Sequence, residues 1–382
     1  MTADCVGGVW TYALTLCRAL SRRGCRIVLA VTGGAMTADQ RRQATALGCV
    51  WGSAGVTLEH RPLRCEWMQP PLADVPATAA WVRSLIDRHR PDVLHLNDYA
   101  LAAHDLRGLP RVVVAHSDVV SWHRHVLGHG PGDAWDGYRH SVRAGLDAAD
   151  AVVGVTAAVL DDLRDGFGFD GGRVIHNAVE VEVSCNDDRP HEVLTVGRIW
   201  DDAKNVRLLH QAHRLQSVGV SEGWSVDVAG DATHPDGGMT DLDGMNTLGP
   251  LSHDAVLDRM RRTKVYALPA RYEPFGLSAA EAAACGCALV LSDIATLREV
   301  WGDAATYCDP DDAAAWAAAV DRLLGDDDAR HAAADAARQR VVRYDAVCQA
   351  AAYHDLYRHV RDRAVLPMPT PHPDPVPVGV TA

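Results

Sequence analysis

The chain has 382 residues, of which 48% are hydrophobic and 23% charged, values that are ordinary for a globular protein and sufficient for two domains with separate cores. Its formal net charge of −13 argues against nucleic acid or an anionic membrane as the default partner. No apolar segment approaches the ~20 residues of a membrane span and no signal peptide is recognisable, so we expect a cytoplasmic protein.

Ten cysteines are scattered along the chain, and only Cys285 and Cys287 lie close together. Their C-G-C spacing differs from the C-x-x-C spacing of zinc and redox sites. Several of the cysteines fall in apolar runs. We therefore expect buried, reduced thiols.

The chain begins with a glycine pair, Gly7 and Gly8, followed by a helical pattern that ends near Gly24 and by the strand pattern CRIVLAV. A glycine pair at the entrance to a helix lets a phosphate or a sugar approach the backbone. Only six residues precede Gly7, and they contain no full strand. We expect the first strand to be truncated and residues upstream of Met1 to be missing.

Two strand patterns in the first half of the chain end in polar residues. PDVLHLND carries His95 and Asn97, and RVVVAHSD carries His116 and Asp118. Open α/β sheets bind ligands at the carboxyl ends of their strands, so these side chains are candidates for a ligand site. On the pattern alone, a structural histidine at a strand end is an equally good interpretation of His116.

The segment VVSWHRHVLGHGPGDAW contains Trp122 and three histidines, His123, His125 and His129. It is interrupted by glycine and proline, and its spacing matches no standard zinc signature. A loop that overlies a ligand site is the favoured interpretation. A plain surface loop and a metal site are the alternatives.

The middle of the chain contains a helix start and a candidate linker. Thr156 suits the N-cap of the helix TAAVLDDLRDGFG. The polar stretch CNDDRPHE, from Cys185 to Glu192, is typical of a linker between domains. Strand and helix patterns alternate on both sides of it, which predicts the α/β class.

The second half opens with HEVLTVGRIWDDAKNVRLL, in which a strand ends at Gly197 and Arg198 follows. Lys204 lies six residues further on, near the start of a helix. Two fixed cations at such positions suit a diphosphate, despite the acidic total charge. An ordinary surface arginine and lysine is the alternative on composition alone.

The stretch from Ala270 to Val290 reads ARYEPFGLSAAEAAACGCALV and predicts a Pro-Gly loop, a helix with Ser278 as a possible cap, and a strand. Glu273 in the loop and Glu281 in the helix have seven residues between them. Both carboxylates can face one crevice, with a helix N-terminus that suits an anion between them. A solvated loop glutamate and an exposed helix glutamate fit the spacing as well.

RYEPFGLSAAEAAACG resembles the Glu–seven–Glu signature of the retaining family 4 glycosyltransferases, which have the GT-B architecture. The resemblance covers about Gly7 to Arg361 and is most specific in the second half. It implies an α/β fold with two Rossmann-like, doubly wound domains that face a central cleft, at 1–183 and 184–344. It also implies a helix at 345–364 that crosses back to the first domain. The Pro-rich composition of residues 365–382 predicts a disordered tail.

The resemblance implies a retaining glycosyltransferase of the hexosyltransferase type, which moves a sugar from a nucleotide-diphosphate sugar to a hydroxyl acceptor. The acceptor would be a sugar, a glycolipid or a small molecule, in polysaccharide, glycolipid or small-glycoside biosynthesis. Similar enzymes usually need no metal, so we expect no cofactor and no metal. A peripheral membrane contact is compatible with this family. The sequence identifies neither the nucleotide base and sugar, nor the acceptor, nor the oligomeric state.

Roles for individual residues follow from the resemblance. The implied catalytic residues are Arg198, Lys204, Glu273 and His116, and the implied donor-binding residues are Gly7, Gly8, Gly276, Leu277 and Glu281. The two cations would stabilise the leaving diphosphate, Glu281 would bind ribose hydroxyls, and Glu273 would lie near the donor sugar. His116 would reach the donor sugar or the acceptor. The glycine pair would approach the donor phosphate from the opposite domain, which requires cleft closure.

One departure from the family pattern and several other functions are weighed against this interpretation. Asn205 stands where a glycine often follows the lysine. A GT-B phosphorylase, a nucleotide-sugar epimerase and an inactive nucleotide-binding GT-B module are the alternatives. A dinucleotide oxidoreductase and a P-loop nucleotidase are disfavoured, because neither G-x-G-x-x-G after a predicted strand nor G-x-x-x-x-G-K-[ST] occurs.

Overall fold

The computed structural model describes residues 1–47, 55–68, 70–180, 189–215, 223–233, 240 and 242–365. Its strands pair in parallel in every sheet and alternate with helices, which confirms the predicted α/β class. Within these residues, no helix combines the length and the apolar character that a membrane span requires. The predicted boundary at 183 and 184, part of the predicted linker and nearly all of the predicted tail lie outside the described residues.

The first half of the chain forms two groups of parallel strands that meet edge to edge. Its strands are β1 (Thr2–Asp4), β2 (Ile27–Thr32), β3 (Val56–His60), β4 (Leu94–Leu96), β5 (Arg111–Ala115), β6 (Ala151–Gly154) and β7 (Arg173–Val174). The orders are β1-β2-β3 and β4-β5-β6-β7. Strands β1 and β4 are neighbours, and the backbone N–H of Asn97 donates to Thr2 Oγ1 at 3.0 Å. A short first strand is therefore present before Gly7, where the sequence predicted no full one.

The second half forms a single six-stranded parallel sheet. Its strands are β8 (His191–Val196), β9 (Val226–Ala229), β10 (Asn246–Gly249), β11 (Thr263–Leu268), β12 (Ala288–Ser292) and β13 (Thr306–Cys308). The order is β10-β9-β8-β11-β12-β13, so the order along the chain reverses between β8 and β11. Ligands of open α/β sheets bind at such a reversal, beyond the carboxyl ends of the strands.

Thirteen α-helices occur among the described residues. They are α1 (Gly8–Arg22), α2 (Ala38–Leu47), α3 (Val75–His89), α4 (Val119–Trp122), α5 (Asp136–Asp147), α6 (Ala157–Phe167), α7 (Val206–Arg214), α8 (His253–Arg261), α9 (Leu277–Ala284), α10 (Ala295–Trp301), α11 (Ala313–Gly325), α12 (Asp327–Val341) and α13 (Ala346–Val365). Helix α4 continues into a π-helical turn at His123–Leu127.

The last helix, α13, packs against the first helix, α1, and so joins the end of the described chain to its beginning. Its buried side chains recur every three or four residues, as expected for one face of a helix: Ala346, Ala350, Tyr353, Leu356 and Val360. The Tyr353 ring lies 6.4 Å from the Tyr12 ring of α1, centroid to centroid.

Two predicted helix caps have different outcomes. Thr156 accepts a hydrogen bond from the backbone N–H of Val159, so the predicted cap of α6 is confirmed. Ser278 is not a cap, because α9 begins at Leu277 and Gly276 occupies the N-cap position. Gly276 has a φ of +85°, a conformation that favours glycine. The helix therefore begins before Ser278, and this serine lies inside it.

Candidate functional site

Lys204 and Glu273 meet between the carboxyl ends of β8 and β11. The Lys204 Nζ lies 2.6 Å from Glu273 Oε2, and both side chains are largely buried. Asn205 follows with a φ of +52°, a conformation that glycine and asparagine adopt more readily than other residues. Its amide Nδ2 donates to the carbonyls of Pro269 and Pro310, at 3.0 and 2.8 Å. Asn205 therefore adopts a left-handed conformation that a glycine at this position could also adopt.

The second carboxylate oxygen of Glu273 faces the start of α9. Oε1 accepts from the backbone N–H of Gly276 at 2.9 Å, and the backbone carbonyl of Glu273 accepts from Thr296 Oγ1 at 2.6 Å. Burial raises the pKa of Glu273, but the Lys204 ammonium and the nearby backbone N–H groups outweigh burial, so the pKa is lowered overall. Glu273 is therefore an ionised carboxylate, fixed in position by its neighbours.

Arg198 lies on the same edge of the sheet and is held by Asp201. The guanidinium donates to Asp201 Oδ2 from Nε at 3.1 Å and from Nη2 at 2.6 Å. The other oxygen of Asp201 accepts from the backbone N–H of Ala203 at 3.0 Å and from Trp122 Nε1 at 3.4 Å. Burial raises the pKa of Asp201, and Arg198 more than offsets this, so the pKa lies below its ordinary value. Asp201 was not singled out from the sequence.

The glycine pair of the first half faces this group directly. Gly7 has a φ of +80°, and a Cβ built on it would lie 3.2 Å from Arg198 Nη1. A Cβ on Gly8 would lie 3.6 Å from Leu277 Cδ1, at the start of α9. The loop before α1 and the loop before α9 therefore line opposite sides of one narrow cleft.

Glu281 lies one turn into α9 and is buried. Its Oε1 is 2.8 Å from the Nε2 of His253, the first residue of α8. This hydrogen bond raises the pKa of His253. The sequence analysis identified Glu281 but not its partner, which is separated from it by 28 residues.

His116 belongs to the first-half side of the cleft, at the end of β5. Its Nε2 lies 2.9 Å from Asn97 Oδ1, and its ring packs edge-on against the Tyr12 ring at 4.5 Å. Burial lowers the pKa of His116 to about 3, so the imidazole is neutral. Among the described residues, no hydrogen bond joins His116 to the Lys204–Glu273 pair.

Buried and half-buried carboxylates are a feature of this first-half side that sequence reasoning largely missed. Burial raises the pKa of Asp4 to about 7, that of Glu66 to about 8 and that of Asp118 to about 6. The pKa of Asp98 is also raised by burial. The positive charge of Arg198 lowers the pKa of Asp4 and so opposes the effect of burial.

The histidine-rich segment reaches across to the second half of the chain. His125 Nε2 is 2.8 Å from Asp162 Oδ1, and its ring stacks on that of Tyr272, with centroids 5.3 Å apart and planes at 9°. His123 Nδ1 is instead 2.8 Å from the backbone carbonyl of Val119. Together with the hydrogen bond from Trp122 to Asp201, these contacts bring the segment onto the edge of the cleft.

Two further contacts join the halves at the start of α6. Thr156 Oγ1 donates to the carbonyl of Pro274 at 3.1 Å. The carboxylate of Glu299 accepts from the backbone N–H groups of Ala157 and Ala158, at 2.7 and 3.1 Å. A carboxylate at a helix N-terminus is favourable electrostatically, so the second half supplies a cap for a helix of the first.

Comparison with known proteins identifies two matching family models. Glycosyltransferase Family 4 matches residues 6–183, and Glycosyl transferases group 1 matches residues 182–340. Glycogen synthase from Mycobacterium tuberculosis is 30% identical over 273 residues, which cover 66% of this chain and 64% of that protein. The chain thus spans somewhat less than two thirds of the length of this curated relative.

Solved structures resemble the whole fold. Sucrose-phosphate synthase from Thermosynechococcus elongatus superposes with a TM-score of 0.72 at 19% identity and covers 94% of each chain. HepE from Anabaena, solved in complex with UDP-glucose, gives a TM-score of 0.69 at 16% identity and covers 93% of this chain and 96% of its own. This likeness confirms the predicted GT-B fold.

Proposed function

The chain belongs to the GT-B glycosyltransferases of family 4, and on this basis we propose that it moves a sugar from a nucleotide-diphosphate sugar to a hydroxyl acceptor with retention of configuration. The observation that carries the proposal is the convergence of Arg198, Lys204 and Glu273 opposite Gly7, at the reversal of strand order in the second sheet. A site of this kind suits an anionic, nucleotide-bearing ligand.

Arg198 and Lys204 are placed and held as the departure of a diphosphate requires. Negative charge builds on the leaving phosphate as its bond to the sugar breaks, and fixed donors stabilise that charge without reorganising. Asp201 orients Arg198, and Glu273 orients Lys204. In the proposed reaction both cations lie against the diphosphate. Glu273 then lies beside the sugar and Glu281 accepts ribose hydroxyls.

Retention is favoured because two prominent candidates for a general base are poor bases. The pKa of Glu273 is lowered, and that carboxylate is bonded to Lys204. The pKa of His116 is about 3, far below the pH at which an efficient base operates. The departing phosphate is then the proposed acceptor of the proton that the attacking hydroxyl loses.

One observation favours an inverting transferase as the second candidate. Burial raises the pKa of Asp4 to about 7, although the positive charge of Arg198 acts to lower it. A carboxylate with that pKa is suited to act as a general base. In this second candidate Asp4 deprotonates the acceptor, so Asp4→Asn would abolish transfer.

The donor and the metal requirement belong to the same proposal. The UDP-glucose complex of HepE supports UDP-glucose as the first donor to test, and the glycogen synthase relative supports a sugar as acceptor. We propose that no metal is needed, because Arg198 and Lys204 already supply positive charge where the diphosphate is expected to bind. Transfer that persists in a chelator would agree with this, and transfer restored only by a divalent cation would contradict it.

The test begins with thermal unfolding in the presence of UDP-, GDP- and ADP-sugars, because a ligand that binds the folded state raises Tm. The donor that raises Tm is then incubated with sugar acceptors, and NMR identifies the anomer formed. Retained configuration supports the proposal, and inverted configuration favours the Asp4 mechanism. Turnover that depends on inorganic phosphate indicates a phosphorylase, and conversion of the donor sugar without acceptor indicates an epimerase. A binding donor without any turnover identifies an inactive nucleotide-binding module.

A further inference from the structure

Asn97 is fixed in one orientation at the end of β4. Its backbone N–H donates to Thr2 Oγ1 at 3.0 Å, and its side-chain Nδ2 donates to the Thr2 carbonyl at 2.6 Å. A carbonyl oxygen accepts and never donates, so the amide nitrogen must face Thr2. The amide oxygen of Asn97 consequently faces the other way, toward His116.

This orientation determines the tautomer of His116. The Asn97 Oδ1 lies 2.9 Å from His116 Nε2, and because an amide oxygen only accepts, Nε2 must carry the hydrogen. In a neutral imidazole the other nitrogen, Nδ1, then keeps its lone pair. Within the part of the chain that the structure describes, Nδ1 of His116 has no hydrogen-bond partner. It is also not one of the fully buried side-chain atoms that lack a partner, so it is in contact with solvent.

The surroundings of the ring keep it neutral. Tyr12 packs against it from α1, and His95 lies on the adjacent strand β4. Burial is the cause of the low pKa of His116, and the pKa of His95 is lowered well below its ordinary value as well. At neutral pH, His116 therefore presents an unprotonated Nδ1 that retains access to solvent.

We propose that Asn97 is a positioning residue that fixes His116 in the Nε2–H tautomer, so that Nδ1 accepts a hydrogen bond from a substrate hydroxyl. The inference rests on the proposed function, since it takes a sugar hydroxyl as the donor to Nδ1. It adds to that function the direction of the hydrogen bond and the residue that sets it.

Two substitutions of His116 separate this role from a structural one. Asn in place of His keeps a polar group near the position of Nδ1, whereas Gln keeps one near the position of Nε2. If Nδ1 contacts substrate, His116→Asn retains about two- to twelvefold more kcat/KM than His116→Gln, the range expected for one hydrogen bond of ordinary strength. If His116 only supports Asn97, the order is reversed, and the proposal is rejected.

Asn97→Asp provides a pH-dependent test. A carboxylate beside the ring favours the imidazolium and raises the pKa of His116 by roughly one to three units. Protonation removes the Nδ1 lone pair, so kcat/KM of this variant falls relative to the native protein as pH decreases through the raised pKa. Tyr12→Phe is the control, since it leaves Asn97 in place and gives no such fall. An imidazolium visible by NMR with unchanged kcat/KM would overturn the proposal.

The tautomer itself is measurable without activity, by the nitrogen chemical shifts of ¹⁵N-labelled histidine, with His116 assigned by comparison with His116→Asn. The proposal requires hydrogen on Nε2 and none on Nδ1. The opposite tautomer refutes it even if Asn97→Asp fails to fold. A native protein with the expected tautomer and no turnover on any nucleotide sugar would instead refute the proposed function.

Discussion

Lys204 and Glu273 form an ion pair of 2.6 Å although 69 residues separate them in the chain. The pair joins the loop after β8 to the loop after β11, the two strands at which the order of the sheet reverses. Each charge therefore has a partner within the protein. An arriving diphosphate must share the ammonium with Glu273, which keeps the lysine oriented before the substrate binds.

Substitution of Lys204 by alanine should remove one of the two cations that stabilise the leaving group. We expect kcat to fall by about 10²–10³, the usual effect of losing one preorganised electrostatic donor. The chain contains one other lysine, Lys264, at the far end of β11, and Lys264→Ala is the matched control. Steady-state kinetics with the identified donor make the comparison. Equal kcat in both variants would remove Lys204 from the mechanism.

Asp201→Asn should release Arg198 from its present orientation. The neutral amide keeps the shape of the side chain but weakens the two contacts to the guanidinium, and hydrogen bonds to charged groups contribute about 1.5–3 kcal/mol. We expect kcat/KM to fall at least tenfold. Asp202→Asn, at the exposed neighbouring position, is the control and should retain native kinetics. An equal loss in both variants would mean that general surface charge, not the orientation of Arg198, is responsible.

Gly7→Ala and Gly8→Ala test the contact between the two sides of the cleft. At Gly7 a methyl group meets the Arg198 guanidinium, and the backbone has a φ of +80° and a ψ of −148°, a conformation that costs about 1–3 kcal/mol for a residue other than glycine. We expect urea denaturation to give a lower free energy of unfolding for Gly7→Ala, together with reduced kcat/KM. At Gly8 the methyl group makes an ordinary contact at 3.6 Å, and the free energy of unfolding should not decrease. Similar losses in the two variants would contradict the described geometry.

The His253–Glu281 pair predicts a pH-dependent stability. Its hydrogen bond raises the pKa of His253 in the folded state, so the stabilisation is complete below the ordinary value of 6.5 and disappears as pH rises through the raised value. His253→Gln should therefore lower Tm at acidic pH and leave Tm unchanged at alkaline pH. His359→Gln, at an exposed position on α13, is the control. A Tm difference that does not depend on pH would indicate a loss of packing rather than of the ion pair.

Local sequence patterns identified the second-half residues of the site because each belongs to a short, contiguous motif. Glu273 and Glu281 lie within one loop and helix, and Lys204 follows its strand closely. Asp201 and His253 escaped notice because their roles depend on contacts that the fold creates. Trp122, for example, bonds to Asp201 over 79 positions, and no periodicity in the sequence encodes that distance.

The first-half side of the cleft was less predictable for a related reason. The half-buried carboxylates Asp4 and Asp98 stand in polar stretches that look solvated, and their raised pKa values arise only when the strands and loops close around them. Ser278 illustrates a prediction that was wrong. Its residue type favours an N-cap, but Gly276, with its left-handed conformation, occupies the N-cap position of α9. The proposed domain boundaries and the absence of a metal stay predictions.

The packing of α13 on α1 has a consequence for synthesis on the ribosome. Tyr353, Leu356 and Val360 complete the core beside α1, yet they are among the last described residues to be translated. Domains generally fold as units while the chain emerges, N-terminal parts first. The core beside α1 therefore stays incomplete, and the apolar face of α1 stays uncovered, until α13 has been translated. Chains that are truncated before Ala346 and released from the ribosome should therefore bind chaperones more strongly than the released 382-residue chain.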